Sequence, residues 1–194
     1  MEREGYRKEK LTIDIVQASR VALLWSLPIA LAYAIPFFLI WHGQSGLETG
    51  ASGQGSGWRP LAMRLLALVL GIVAHELVHG LVWSLFAKRG FRSIRFGVMW
   101  KLLTPYCHCK EPLRVKHYML GAIAPAIVLG LVPGVVAIIT GSKGLLAFGI
   151  IFTIAAMGDF LIIRLIWKED PNAMVLDHPS EAGCYIFRPA PASE

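Results

Sequence analysis

The chain has 194 residues and a formal net charge of +6, and 55% of its residues are hydrophobic while only 16% are charged. Soluble domains average about 45–50% apolar and about 25% charged residues, so this composition argues against an ordinary soluble domain and favours a membrane protein. The basic residues flank apolar runs instead of forming a basic domain, so the lipid bilayer is an expected partner and nucleic acid is not.

Four apolar stretches are long enough to cross a bilayer, which takes about 20 mostly apolar residues. They cover residues 18–41, 61–86, 118–139 and 144–167. The first also has features of a secretory signal peptide, because it follows a basic start and contains the sequence AYA at 32–34. The apolar run continues past that point to Trp41, so we expect a retained span. The predicted fold is a single domain, 1–194, of the all-α polytopic membrane class with about four transmembrane helices.

Lys and Arg residues predict the orientation, because they concentrate in cytoplasmic connections. The loop 42–60 is rich in Gly and Ser and carries only Arg59, so we predict a flexible linker on the outer side. The connection between the second and third spans carries many basic residues: Lys88, Arg89, Arg92, Arg95, Lys101, Lys110, Arg114 and Lys116. We therefore expect a multi-pass protein of the cytoplasmic membrane with both termini in the cytoplasm, including a tail at 168–194.

The same connection has a strand-like pattern. The apolar residues Ile94, Phe96, Val98, Trp100 and Leu102 alternate with Ser93, Arg95, Gly97, Met99 and Lys101. A period of two predicts a strand with one apolar face. Pro105 interrupts the run, and the sequence YCHC that follows it predicts a short return strand. We therefore expect a small β element within 91–113, at the cytoplasmic surface of the membrane.

The second apolar stretch contains the sequence HELVH at 75–79. His75 and His79 are four residues apart, so on a helix they project from one face, at the spacing that lets two imidazole nitrogens bind one zinc ion. Glu76 then lies beside the metal and can take a proton from a water bound there. The alternative is a polar cluster that ties helices together by hydrogen bonds. Ionisable groups inside a span are costly without partners, and a metal would supply them.

Catalytic zinc usually has three protein ligands. Asp159 is the only acidic residue within the other three predicted spans. His75 and Asp159 both lie about 14 to 15 residues from the outer ends of their spans, which is roughly 21 Å at 1.5 Å per residue. We therefore predict Asp159 as the third ligand, and the alternative is that it pairs with Arg164 or another helix. Further candidate ligands are Cys107, His108, Cys109, His117, Glu169, Asp177 and His178.

The chain resembles a known family in several places. The sequences AHELVHG, PYCHCKEPL and GAIAPAIVLG, together with the Gly-Asp pair at 158–159, are similar to the putative zincin peptidase family of bacterial membrane proteins. More distantly, the chain resembles the site-2 proteases, which are intramembrane metalloproteases. The resemblance implies that His75 and His79 bind zinc, that Glu76 is the base and that Asp159 completes the site. Site-2 proteases carry Asn and Pro before this aspartate and Gly after it, whereas this chain does not.

The expected function is that of an intramembrane zinc metalloprotease with Zn²⁺ as cofactor and a membrane protein or peptide as substrate. An extended substrate could pair with the edge of the predicted strand, because β-addition holds a backbone without reading much sequence. The candidate substrate-binding residues are Ile94, Phe96, Val98, Trp100 and His108. Two alternatives are a zinc-dependent hydrolase of a lipid-linked molecule and a non-catalytic membrane module with structural zinc. The oligomeric state is left open.

Overall fold

The computed structural model describes residues 6–43, 58–100, 104–178 and 181–189. This part of the chain is mostly helical, with small antiparallel sheets. Its strands are β1 (Tyr6–Thr12), β2 (Ile94–Met99), β3 (Thr104–Cys109), β4 (Leu113–Arg114), β5 (Met174–Asp177) and β6 (Gly183–Pro189). Its α-helices are α1 (Ile15–Trp41), α2 (Trp58–Ser84), α3 (Val115–Pro125), α4 (Val132–Thr140), α5 (Lys143–Ala155) and α6 (Met157–Ile166).

Four helical stretches are long and apolar enough to cross a membrane. They are Val16–Trp41, Trp58–Ser84, Val115–Thr140 and Lys143–Ile166. The four predicted spans are therefore confirmed as helices, and their ends differ by only a few residues from the predicted ones. Length and apolar composition predict this outcome, because inside a bilayer a run of this kind would satisfy its backbone groups internally only as a helix or in a closed barrel.

Two of these stretches are interrupted. The π-helical segment Ala126–Leu131 follows Pro125 and joins α3 to α4. Proline lacks the N–H that an α-helix needs at this position, and a local π-turn accommodates the mismatch. In the fourth stretch, Ala156 separates α5 from α6. This second break lies three residues before Asp159, so Asp159 begins a new helical segment.

The described residues cluster into two compact units. The first takes residues from 1–19, 76–124 and 158–194, and the second takes residues from 20–75 and 125–157. In the second unit, Phe37, Ala137 and Leu146 form a buried apolar cluster. A Cβ on Gly149 would lie 2.7 Å from the Gly134 nitrogen, so two helical backbones approach closely there. Small residues of this kind let apolar helices pack tightly.

The first unit contains both sheets. Strands β1, β6, β5 and β4 form an antiparallel sheet in that order, while β2 and β3 form a separate hairpin. In the hairpin, Phe96 is opposite Cys107 and Val98 is opposite Pro105. The core beside the four-stranded sheet includes Val175, Ile186 and Ile166, which are fully buried. Residues of the helices in this unit, such as Val115 of α3 and Ile166 of α6, therefore pack against the sheet.

The all-α prediction is corrected by the four-stranded sheet. The predicted tail at 168–194 contains β5 and β6, and the N-terminal segment contains β1. These strands pair residues that are far apart in the sequence, for example Leu11 with Cys184, so local sequence gives little sign of them.

The predicted return strand within 91–113 is confirmed as β3, but β2 ends at Met99 and Trp100 lies in a turn. Leu102, which was predicted to belong to the strand, and residues 44–57 of the predicted linker lie outside the described residues.

Candidate metal centre

Helix α2 carries His75, Glu76 and His79 of the HELVH sequence on one uninterrupted segment. His75 and His79 are separated by about one turn of this helix, and both are buried. Glu76 follows His75 directly. Because the helix continues without a break through these positions, it fixes His75 relative to Glu76 and His79. The predicted placement of two imidazoles and a carboxylate on one helix is therefore present in the structure.

Asp159 lies in the first turn of α6, immediately after the break at Ala156. Its Oδ1 atom is 3.3 Å from Nε2 of His79. One ligand atom from each of His75, His79 and Asp159 lies within 4.8 Å of the other two. Among residues 6–43, 58–100, 104–178 and 181–189, this is the one such group of three His, Cys, Asp or Glu side chains. Two imidazoles and one carboxylate are a donor set that catalytic zinc uses.

The orientation of the His79 ring fits a metal ligand. Its Nδ1 atom is 2.8 Å from the carbonyl oxygen of Gly121. A carbonyl oxygen only accepts hydrogen bonds, so Nδ1 is the donor and carries the proton. When this imidazole is neutral, the other nitrogen, Nε2, offers the lone pair that a metal requires, and it is the atom that faces Asp159. The residues present therefore fit a zinc ion.

Aromatic residues support the His79 ring from behind. Trp83 stacks on His79 with 5.1 Å between the ring centroids and 16° between the planes. Trp83 also stacks on Tyr118, again with 5.1 Å between the ring centroids. The indole Nε1 of Trp83 donates a hydrogen bond of 3.0 Å to the Tyr118 carbonyl oxygen. These contacts restrict the rotation of Trp83 and therefore of the imidazole that packs against it.

The hairpin packs against α2 beside the same histidine. A Cβ on Gly80 would lie 2.6 Å from Cζ of Phe96 and 3.0 Å from Cγ2 of Ile94. Both side chains therefore reach the helix backbone at the residue after His79. Burial raises the pKa of the Cys107 thiol, which lies opposite Phe96, and the negative charge of Glu76 raises it further.

The predicted substrate-binding residues occupy different environments. Ile94 is buried and Phe96 is partly exposed where they meet α2, whereas Val98 and Trp100 are exposed farther along the hairpin. Nδ1 of His108 lies 3.8 Å from Oδ2 of Asp177. The structure thus brings Ile94 and Phe96 next to Gly80, the residue after His79, and the role of all five residues in binding substrate stays a prediction.

The other candidate ligands have partners elsewhere. Asp177 accepts hydrogen bonds from the Cys109 backbone N–H and the Tyr118 hydroxyl. Glu169 is paired with Arg188, and its pKa is lowered by that contact. The His117 ring stacks on Phe86 at 4.0 Å. None of these side chains joins the group formed by His75, His79 and Asp159.

Sequence reasoning missed the support for His79, above all Gly121. The carbonyl that holds the imidazole comes from another helix, 42 residues away in the chain. One sequence signal was available, because Pro125 lies four residues after Gly121 and proline has no N–H to donate to that carbonyl within the helix. The need for glycine itself is visible only in the structure, where a Cβ on Gly121 would lie 2.1 Å from Cδ1 of Trp83.

Comparisons with known proteins identify one family. A family model described as a putative zincin peptidase matches residues 68–174, which is more than half of the chain. The matched region includes the HELVH sequence and Asp159. No curated protein matches the chain, and no solved structure does.

Proposed function

Because the chain belongs to the putative zincin peptidase family, we propose that it is a zinc metallopeptidase that hydrolyses peptide bonds of membrane-associated substrates within or next to the bilayer. The observation that carries the proposal is the group of His75, His79 and Asp159, built on two helical stretches that are each long and apolar enough to cross a membrane. Ionisable groups inside a membrane span destabilise the protein unless they have partners, so their presence there usually marks a functional site.

Each residue has a distinct role in this proposal. Zinc would be held by His75, His79 and Asp159. It would act as a Lewis acid on a water molecule and on the scissile carbonyl. The Glu76 carboxylate accepts a proton from the attacking water and passes it to the nitrogen of the departing amine. Gly121 keeps the proton of His79 on Nδ1, so that Nε2 remains available as a ligand.

The hairpin offers a place for the substrate backbone. Among the described strands, β2 pairs only with β3, so its other edge is open for a further strand. A peptide bound there in an extended form would lie beside the α2 segment that carries His79, because Ile94 and Phe96 pack at Gly80. The exposed side chains of Val98 and Trp100 would contact apolar substrate residues, and His108 would contribute from the paired strand.

The first experiment measures zinc in the purified full-length protein and in three variants. We expect about one zinc per chain in the parent and little in His79→Ala or Asp159→Ala, because each loses one of three ligands. His42→Ala is the matched control, since His42 is exposed at the end of α1 and should leave the zinc content unchanged. A parent that folds but holds no zinc, even when zinc is supplied, would overturn the proposal.

The second experiment tests catalysis with Glu76→Gln. This variant should retain zinc but lose at least about 100-fold in cleavage of a single-span protein substrate, because general acid–base catalysis contributes roughly 10²–10⁴-fold. Equal cleavage by Glu76→Gln and the parent would exclude the assigned role of Glu76. Zinc binding without any Glu76-dependent hydrolysis of protein would favour a lipid-linked substrate or a structural zinc.

A further inference from the structure

Asp177 is a buried carboxylate that the proposed mechanism does not use. It ends strand β5, and it is only 8% exposed. Its Oδ2 atom accepts a 2.7 Å hydrogen bond from the backbone N–H of Cys109, and its Oδ1 atom accepts a hydrogen bond from the hydroxyl of Tyr118. The two oxygens therefore connect to two different elements, strand β3 and helix α3. Burial raises the pKa of Asp177, and these two hydrogen bonds oppose the shift.

One of these connections leads to the zinc ligand His79. Tyr118 is 3% exposed, and its ring stacks on Trp83 at an interplanar angle of 21°. Trp83 is also tied to the Tyr118 carbonyl through its indole N–H and stacks on the His79 ring. His79 in turn donates to Gly121, which lies one turn after Tyr118 on the same helical stretch. The contacts from Asp177 to the metal ligand are therefore continuous and involve buried side chains.

The other connection leads to the hairpin that faces α2. Cys109 is the last residue of β3, and it is opposite Ile94, the first residue of β2. The backbone bond from Lys110 N–H to the Ser93 carbonyl oxygen, at 2.9 Å, closes this end of the hairpin. Ile94 packs at Gly80, beside His79. Asp177 thus holds the end of the hairpin that contains Ile94, which packs against the α2 backbone beside His79.

We propose that Asp177 is a positioning residue that fixes both His79, through Tyr118 and Trp83, and the β2–β3 hairpin, through the Cys109 N–H. The inference rests on the proposed zinc site but on no particular substrate. It assigns to a residue 98 positions after His79 a role in metal affinity that neither a contact with the metal nor proton transfer explains.

The substitution Asp177→Asn tests this role with little change in shape. The carboxylate accepts one hydrogen bond on each oxygen, whereas an amide offers one acceptor oxygen and one NH₂ group. The NH₂ group cannot pair with the N–H of Cys109, so it faces the Tyr118 hydroxyl, which must then accept instead of donating, and the hydroxyl proton loses its acceptor on residue 177. Substituting a residue that orients a metal ligand typically lowers the metal affinity 10–100-fold. We expect the lower end, about tenfold, because Asp177 acts through two intervening side chains.

The measurement is the Zn²⁺ dissociation constant, obtained by competition with a chromophoric chelator, together with the visible spectrum of the Co²⁺-loaded protein. Val175→Ala is the matched control, because Val175 is fully buried on the same strand, two residues away. Both variants should lower the melting temperature. Only Asp177→Asn should weaken zinc binding about tenfold and alter the cobalt spectrum.

Tyr118→Phe provides a second test that keeps the aromatic stack and removes only the hydroxyl donor to Asp177. It should also weaken zinc binding, and the double variant with Asp177→Asn should add little, because the two residues act through one contact. Zinc affinity and cobalt spectra equal to the parent in either folded single variant would overturn the inference. A parent that binds no zinc would instead overturn the proposed function itself, and the two failures are therefore distinguishable.

Discussion

Gly121 is a single residue that supports the candidate metal centre in two ways. Its carbonyl oxygen accepts the hydrogen bond from His79, and its missing side chain leaves room for the Trp83 indole. A methyl group in this place would lie 2.1 Å from two atoms of the indole ring. The ring or the helix must therefore move, and either movement also displaces the imidazole that stacks on Trp83.

The substitution Gly121→Ala is therefore expected to weaken zinc binding and to lower the free energy of unfolding by about 1–3 kcal/mol, as overpacking usually does. Zinc competition and thermal unfolding in detergent would measure both effects. Gly158→Ala is the control, because it lies next to Asp159 but a Cβ there has no neighbour within 4 Å. The control should be neutral or slightly stabilising, since alanine favours a helix over glycine. Equal effects of both substitutions would contradict the assigned role of Gly121.

The candidate ligands could be predicted from the sequence, whereas the residues that hold them in position could not. His75, Glu76 and His79 follow a spacing that a helix converts directly into geometry, and Asp159 stands out because acidic residues are rare in apolar stretches. Gly121 and Asp177 act through a backbone carbonyl and through contacts between distant segments. Pro125 signals that the Gly121 carbonyl lacks its helical donor, but the partners of both residues are determined only when helices and strands come together.

Arg188 connects three segments of the first unit. It lies on β6, and its guanidinium contacts Glu9 of β1 and Glu169 in the connection between α6 and β5. The hydrogen bond from Arg188 lowers the pKa of Glu169 below its ordinary value of 4.5. The contact therefore stabilises the folded state when Glu169 is ionised. This contribution is present above pH 4.5 and is lost as the pH falls through the lower, folded-state pKa.

Arg188→Gln is expected to reduce the stability by about 1 kcal/mol near neutral pH, a small value because the arginine is partly exposed and screened by water. The difference between the parent and the variant should shrink as the pH is lowered from 7 to 3. Thermal unfolding across this range measures it. Lys10→Gln is the control, because the Lys10–Glu181 pair is exposed on both sides and should contribute little. A difference that stays constant with pH would contradict the role assigned to the Glu169 contact.

The elements differ in how much of them could be predicted. The helices follow from apolar length, and the β2–β3 hairpin follows from alternation between Ile94 and Val98 with a return strand around Pro105. The four-stranded sheet could not be derived in this way. Its first strand, YRKEKLT, is mostly charged, and it is a strand because it pairs with β6 at the other end of the chain.

The four-stranded sheet constrains the topology of the whole molecule. It joins β1, which precedes the first helical stretch, to β6 and β5, which follow the fourth. Its remaining strand, β4, comes immediately before the third stretch. If each of the four stretches crosses the bilayer, an even number of crossings separates these strands. They then lie on the same side of the membrane, as their pairing requires.

We therefore expect both termini on one side, and the basic residues between the second and third stretches indicate that this side is the cytoplasm. A fluorescent protein that folds only in the cytoplasm should be active at either terminus. Alkaline phosphatase, which is active only outside the cytoplasm, should be active when inserted in 44–57. Termini on opposite sides would require an odd number of crossings, and they would also contradict the pairing of β1 with β6. Termini together on the outer side would preserve the sheet and contradict only the orientation, so the two fusions test pairing and charge separately.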